Sequence, residues 1–239
     1  MFLYSPGDFI VIENIKCDVK KLLGKEKSGH AYDHVFRVYK TAMRLCKNEK
    51  ADAEIVALAS FLHDCDDYKI FGKKYADNLI NAKNIMAASN VNKEKQQIVC
   101  DIIQNMGYSK SLAGIRPETI EGAIVSDADM LDAIGALGIT RCLAYALDKC
   151  EGHIFDKDIY PELNLSHEEY KRPNRKSDNF INHFFEKLLK VKNLMMTDSG
   201  KKEAEKRHDV MVVFLRQYFA EQNLDNWGKF LERFLAGDF

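Results

Sequence analysis

The 239-residue chain is poor in turn formers, with 13 glycines and 4 prolines, about 7 % of residues where about 12 % is usual. Sandwiches and propellers need frequent turns, so this scarcity excludes many-stranded architectures and favours long helices. An excess of one charge is missing too: 35 Lys and Arg stand against 36 Asp and Glu, a net charge of −1. Such balance offers no broad basic field for nucleic acid. No stretch approaches the roughly 18 uncharged apolar residues of a membrane span. The opening MFLYSPGDFIVIENIKCDVKK has acids inside its apolar stretch and no basic start, unlike a signal peptide. Six scattered cysteines form no C-x-x-C pair. That pattern suits reduced, mostly buried thiols, and the expected location is cytoplasmic.

What the sequence does have is helical periodicity. From His34 to Cys46, Val35, Val38, Ala42 and Leu45 recur at three- and four-residue steps, an amphipathic helix. Asp52 is placed to cap AEIVALASFLHD, which is apolar almost all round and so belongs at the centre of a bundle. Asn92 is placed to cap a helix striped by Ile98, Val99, Ile102, Ile103 and Met106 and closed by Gly107. Pro117 suits the first position of a helix running through PETIEGAIVSDADMLDAIGALGITRCLAYAL, where Gly135 and Gly138 permit close packing or a local break. Residues 150–177 lack periodicity and hold two of the four prolines, which makes them a candidate lid or rim. Ser177 is expected to cap a helix with Phe180, Phe184, Leu188 and Val191 inward, before two more around 200–221 and 225–236. No alternating strand pattern and no linker stand out. The expected fold is all-α, a single domain over 1–239 with a core over about 25–150, the irregular loop 150–177 and C-terminal helices over 178–239.

Three places put metal-ligating side chains where helix interiors should be apolar. His30 and His34 lie four residues apart, on one face if helical. His63-Asp64 ends the most apolar helix. Asp127, Asp129 and Asp132 sit inside another apolar helix. Isolated buried carboxylates cost several kcal/mol even after relaxation, roughly, so something cationic should neutralise them. One divalent metal held by two imidazoles and two carboxylates would satisfy all three places.

The ordered set of His, His-Asp and a later Asp resembles the HD-domain superfamily of metal-dependent phosphohydrolases. Gly29-His30, His34-x-x-Arg37-Val38, Leu62-His63-Asp64, Asp127-Ala128-Asp129 with Leu131-Asp132-Ala133-Ile134-Gly135, and HFFEKLLKVKNLMMTDSGKKEAEKRHDVMVVFL are similar to its bacterial YpgQ-like branch, over roughly residues 25–220. The resemblance implies an HD-type helical bundle that hydrolyses nucleoside triphosphates to monophosphate and pyrophosphate through a metal-activated water. It implies the ligands His34, His63, Asp64 and Asp129 for one divalent ion (Mn, Co, Ni, Zn or Mg). His34 takes precedence over His30 in the H-x-x-R-V position, and Asp129 over Asp127 as the second Asp of D-A-D. His30 and Asp127 then stand beside the ligands or face substrate, or, for His30, pack at a helix start.

The superfamily's acid/base or water-positioning carboxylate, three residues after the HD pair, falls on Asp67, ahead of its neighbour Asp66. Lys69 and Arg37 suit phosphate contacts. His183 and Lys187, a four-residue step on the polar side of their helix, form a second candidate phosphate ridge. The basic run KRPNRK over 171–176 is expected to be simply solvated. One departure concerns substrate range: where relatives often carry His-Ser-Phe, this chain reads Asn105-Met106-Gly107-Tyr108, so Asn105 or Tyr108 would substitute for that His.

Other readings stay open: a nucleoside monophosphatase or phosphodiesterase of the same superfamily, or a non-hydrolytic nucleotide-binding module. A dinuclear iron oxygenase needs further His ligands, and none occurs between Cys65 and Ala128. The expected partner is a small nucleotide, with neither membrane nor nucleic acid. The sequence does not reveal an oligomeric state.

Overall fold

Several helices begin where a side chain satisfies the first backbone N–H groups. Ser5 and Asp8 form a reciprocal capping box at the start of α1, Pro6–Leu23. Asp52 accepts the N–H groups of Glu54 and Ile55 to open α3, Ala53–Leu62, and Asn92 accepts that of Lys95 to open α7, Lys93–Asn105. Both caps fall where the sequence placed them. The computed structural model describes residues 5–24, 31–149, 154–165, 169, 172, 175, 177 and 179–238. Its remaining elements are α2, Tyr32–Cys46; α4, Tyr68–Phe71; α5, Lys73–Asn78; α6, Ile80–Ala88; α8, Tyr108–Leu112; α9, Ile120–Asp132; α10, Gly135–Lys149; α11, Phe180–Glu186; a 3-10 helix, Leu188–Leu194; α12, Asp198–Glu221; and α13, Asp225–Ala236. No strand occurs among the described residues.

The chain forms two compact units, one over 1–130 and 196–200, the other over 131–195 and 201–239. Their boundaries fall inside α9, at the Met195–Met196 step and in the first turn of α12, so no linker separates them. In the first unit, α3 is the axis: all ten of its residues are buried, and α1, α2 and α7 pack around it. This is the placement its all-round apolarity demands. Val35, Val38, Ala42 and Leu45 of α2 are buried. The second unit has an aromatic core in which Trp227, Phe184, Phe185 and Phe219 are almost fully buried. Tyr160 stacks on Trp227 with ring centroids 4.5 Å apart, and the indole N–H donates to the Lys157 carbonyl at 3.0 Å.

Several boundaries differ from the sequence expectation, each for a local reason. The helix expected from Pro117 starts three residues later, because the Thr119 hydroxyl accepts the Gly122 N–H. It then breaks before Gly135, whose φ of +79° suits glycine alone and whose missing Cβ makes room for Arg207. Ser177 does not cap α11; Asn179 does, accepting the Asn182 N–H at 2.9 Å. The Ser177 hydroxyl is engaged elsewhere, donating to Glu162 and accepting from Arg175. The single helix expected beyond Ser177 instead ends at Glu186 and gives way to the 3-10 turn.

Of the irregular stretch, residues 154–165 are tied down rather than lid-like. Besides the Trp227 contacts, Asn182 donates to the Ile159 carbonyl, and the Glu162 N–H donates to Glu186. Within the basic run, Arg175 is not solvated: its side chain is 5 % exposed and pairs with buried Glu186 at 2.7 Å. The five described cysteines are free thiols, with Cys46, Cys65 and Cys100 buried.

Candidate metal centre

Three helices of the first unit bring the central side chains together. His34 stands in the first turn of α2, its N–H bonded to the Ala31 carbonyl at 2.9 Å. His63 and Asp64 follow α3 directly, in the turn His63–Asp66. Asp129 projects from α9. The two imidazoles meet edge to edge, Nε2 to Nε2 at 3.2 Å. Asp64 Oδ2 lies 3.4 Å from His34 Nε2 and 3.5 Å from His63 Nε2, and Asp129 Oδ1 lies 3.4 and 3.9 Å from the same atoms. His34, His63 and Asp64 are buried side chains, whereas Asp129 is a quarter exposed, so the site opens on its side.

Protonation follows from the neighbours. His63 Nδ1 is 2.9 Å from the Ser60 carbonyl, which only accepts, so Nδ1 carries the proton and Nε2 is left with a lone pair. That lone pair faces the other imidazole and two carboxylates in a buried space, where only a proton or a cation relieves the repulsion. Donor atoms about 2.1 Å from one ion lie roughly 3.0–3.4 Å apart for octahedral or tetrahedral angles. The observed separations run from 3.2 to 3.9 Å, close to that span, and one ligand atom each of His34, His63 and Asp129 lies within 4.8 Å of the others, so the group could hold a metal ion through imidazole nitrogen and carboxylate oxygen. Burial pushes the Asp129 carboxyl up, yet the hydrogen bond from His34, with the neighbouring His63, outweighs it and holds the group below its ordinary value. It is thus ionised, the state that metal coordination would require.

The other carboxylates divide by direction. Asp127 is fully buried and turned away from the imidazoles: it accepts the Met196 and Thr197 N–H groups and the Thr197 hydroxyl. These donors take up both of its oxygens. Asp132 is paired with Arg141. Asp66 accepts the N–H groups of Asn81 and Ala82 at the start of α6, a structural cap. Asp67 remains half-buried one turn from the HD pair, its N–H bonded to the Asp64 carbonyl at 3.2 Å. Its Oδ1 accepts the Lys69 N–H at 2.9 Å.

Among the basic candidates, Lys69 is exposed and Arg37 half-buried. His30 lies outside the described residues. His183 and Lys187 keep their four-residue step through the Lys187 N–H to His183 carbonyl bond at 3.0 Å, but both are half-buried rather than on a solvated face. Burial, then the charges of Lys187 and Arg175, lower the His183 pKa to about 3, so it is a neutral hydrogen-bonding group at pH 7. Asn105, the candidate substitute for a family His, donates its amide to the Asp101 carbonyl. Sequence reasoning missed the Ser60 carbonyl, because a backbone acceptor leaves no trace in residue identity. The three-residue step from the last turn of an apolar helix to a His is its one available signal.

A lone His, an adjacent His-Asp and a distant Asp, gathered from helices alone, define a class, and the chain belongs to the HD-domain superfamily. The family described as "HD domain" matches residues 31–134, a span that holds all four of these side chains. The chain is similar to YpgQ of Bacillus subtilis, 34 % identical over 206 residues, covering 86 % of this chain and 90 % of YpgQ. A solved structure from Lactobacillus plantarum has a TM-score of 0.75 and 37 % identity, covering 89 % of this chain and 96 % of that one. An HD-superfamily hydrolase of Bacillus thuringiensis has a TM-score of 0.69 and 34 % identity over the same shares. YpgQ itself, solved in complex with ADP, has a TM-score of 0.68 over 90 % of this chain and 96 % of YpgQ. With these relatives, the chain is a metal-dependent phosphohydrolase. No single helix among the described residues is long and apolar enough to cross a membrane.

Proposed function

We propose that this hydrolase cleaves nucleoside triphosphates to monophosphate and pyrophosphate, with His34, His63, Asp64 and Asp129 as the ligands of one divalent ion. The observation that carries the metal assignment is the 3.2 Å approach of two imidazole nitrogens between two carboxylates. A nucleotide substrate is supported by the ADP bound to YpgQ. When bound, the ion supplies Lewis acidity, polarising a phosphoryl oxygen and lowering the pKa of a water molecule. Asp67 is the acid/base in this reading. One of its oxygens is fixed by the Lys69 N–H, leaving the other to orient water and to take its proton. Lys69 and Arg37 serve as phosphate cations, while His183 and Lys187, in the second unit, form a separate candidate phosphate ridge. The free thiols of Cys46, Cys65 and Cys100 favour a reducing, cytoplasmic setting.

The test is product analysis on purified protein stripped of metal and reloaded with Mn, Mg, Co, Ni or Zn, against NTPs and dNTPs. Pyrophosphate with monophosphate as co-product is the expected result. Inorganic phosphate alone would transfer the assignment to a monophosphatase-type reaction, and bound nucleotide without turnover under every metal would make the site a receptor.

A further inference from the structure

A second group of metal-ligating side chains stands on α12, in the second unit and apart from the HD residues. Glu205, His208 and Asp209 occupy positions i, i+3 and i+4, which share one helix face. One ligand atom from each lies within 4.8 Å of the others. His208 is 5 % exposed, and its Nδ1 is buried without a hydrogen-bond partner. That nitrogen lies 3.9 Å from Asp209 Oδ1, too far for a hydrogen bond. The separation is about half an ångström beyond the roughly 3.4 Å of tetrahedral donors at 2.1 Å from one ion, a gap that rotation of the exposed Asp209 carboxylate closes. The two carboxylates are 61 % and 78 % exposed, free to rotate onto a cation.

The geometry points to a second divalent-cation site on α12, formed by Glu205, His208 and Asp209, with Zn2+ the best match. Imidazole nitrogen with two carboxylate oxygens suits a borderline cation, and three protein ligands leave a position for water. Burial, then the charge of Lys192, lowers the His208 pKa, so the ring is neutral and available as a ligand. Lys192 Nζ, 3.3 Å from Glu205 Oε2, is the cation that occupies this carboxylate when no metal is present. Metal and ammonium therefore compete for Glu205, and removal of Lys192 should strengthen the site.

The experiment is calorimetric titration of the full-length, metal-stripped protein with Zn2+, with circular dichroism to confirm folding. Wild type should take up two equivalents. Glu205→Gln/Asp209→Asn, two exposed exchanges that leave the core untouched, should take up one. Lys192→Met should retain two and bind the weaker equivalent at least severalfold more tightly. His63→Ala, which removes an HD ligand, should retain the α12 equivalent. One equivalent in wild type, or two surviving in Glu205→Gln/Asp209→Asn, would overturn the proposal.

Discussion

The buried carboxylate of Asp127 lies 2.8 Å from both the backbone nitrogen and the hydroxyl of Thr197, seventy residues along the chain. Together with the Met196 N–H, these bonds satisfy a charge that sits only two residues from Asp129, the proposed ligand. Successive helical positions point about 100° apart, so Asp127 and Asp129 face different neighbours. Gly200 completes the arrangement, since a Cβ there would stand 2.2 Å from Asp127 Oδ2.

Asp127→Ala should therefore lower stability by about 2–4 kcal/mol, because two backbone N–H groups and a hydroxyl lose a charged acceptor. Gly200→Ala should also destabilise, by steric conflict with the same carboxylate. Urea unfolding measures both losses. Zn2+ stoichiometry should not change in either variant, which separates this structural carboxylate from a ligand.

Asp129→Asn and His63→Ala should abolish turnover and the stabilisation that metal at the HD residues confers. At a free metal concentration 100 times Kd, binding adds about 2.7 kcal/mol to wild type. For a chain of this size that raises Tm by roughly 5–10 °C. Thermal melts with and without Mn2+ should show the rise in wild type and the loss of the HD share of it in both variants.

Asp67→Asn isolates chemistry from structure. Asn retains the oxygen that accepts the Lys69 N–H, so the α4 cap survives. It cannot take a proton. The expected result is a fall in kcat of about 10²–10⁴ with metal affinity unchanged, read by steady-state kinetics and calorimetry.

His183 gives the protein a dependence on pH. Its pKa falls from 6.5 to about 3 on folding, so the folded state favours the neutral ring. The resulting stability is present above pH 6.5 and is lost as pH falls toward 3. Between pH 7 and pH 5 the loss is about 2 kcal/mol. Denaturant midpoints across that range should fall in wild type and flatten in His183→Gln.

The helices and their faces could be read from residue order, because capping and amphipathicity are local. Asp52, Asn92 and the α2 stripe took the places that their spacing implies. Ser177 did not, since its hydroxyl is drawn into a network with neighbouring Arg175 and with Glu162, fifteen residues away. The surroundings of Arg175 were hidden for the same reason: a basic run reads as solvated until a buried Glu186 is placed beside it.

The sequence by itself determined that the chain is helical, that α3 is central, and that imidazoles and carboxylates lie where apolar residues should. Periodicity and the cost of burying charge suffice for that much. Periodicity alone does not tell which of three carboxylates on α9 meets the imidazoles; the family resemblance implied Asp129, and the physical reason lies in tertiary structure. All three are alike in chemistry, and their roles depend on what each meets in space: Thr197 for Asp127, His34 and His63 for Asp129, Arg141 for Asp132.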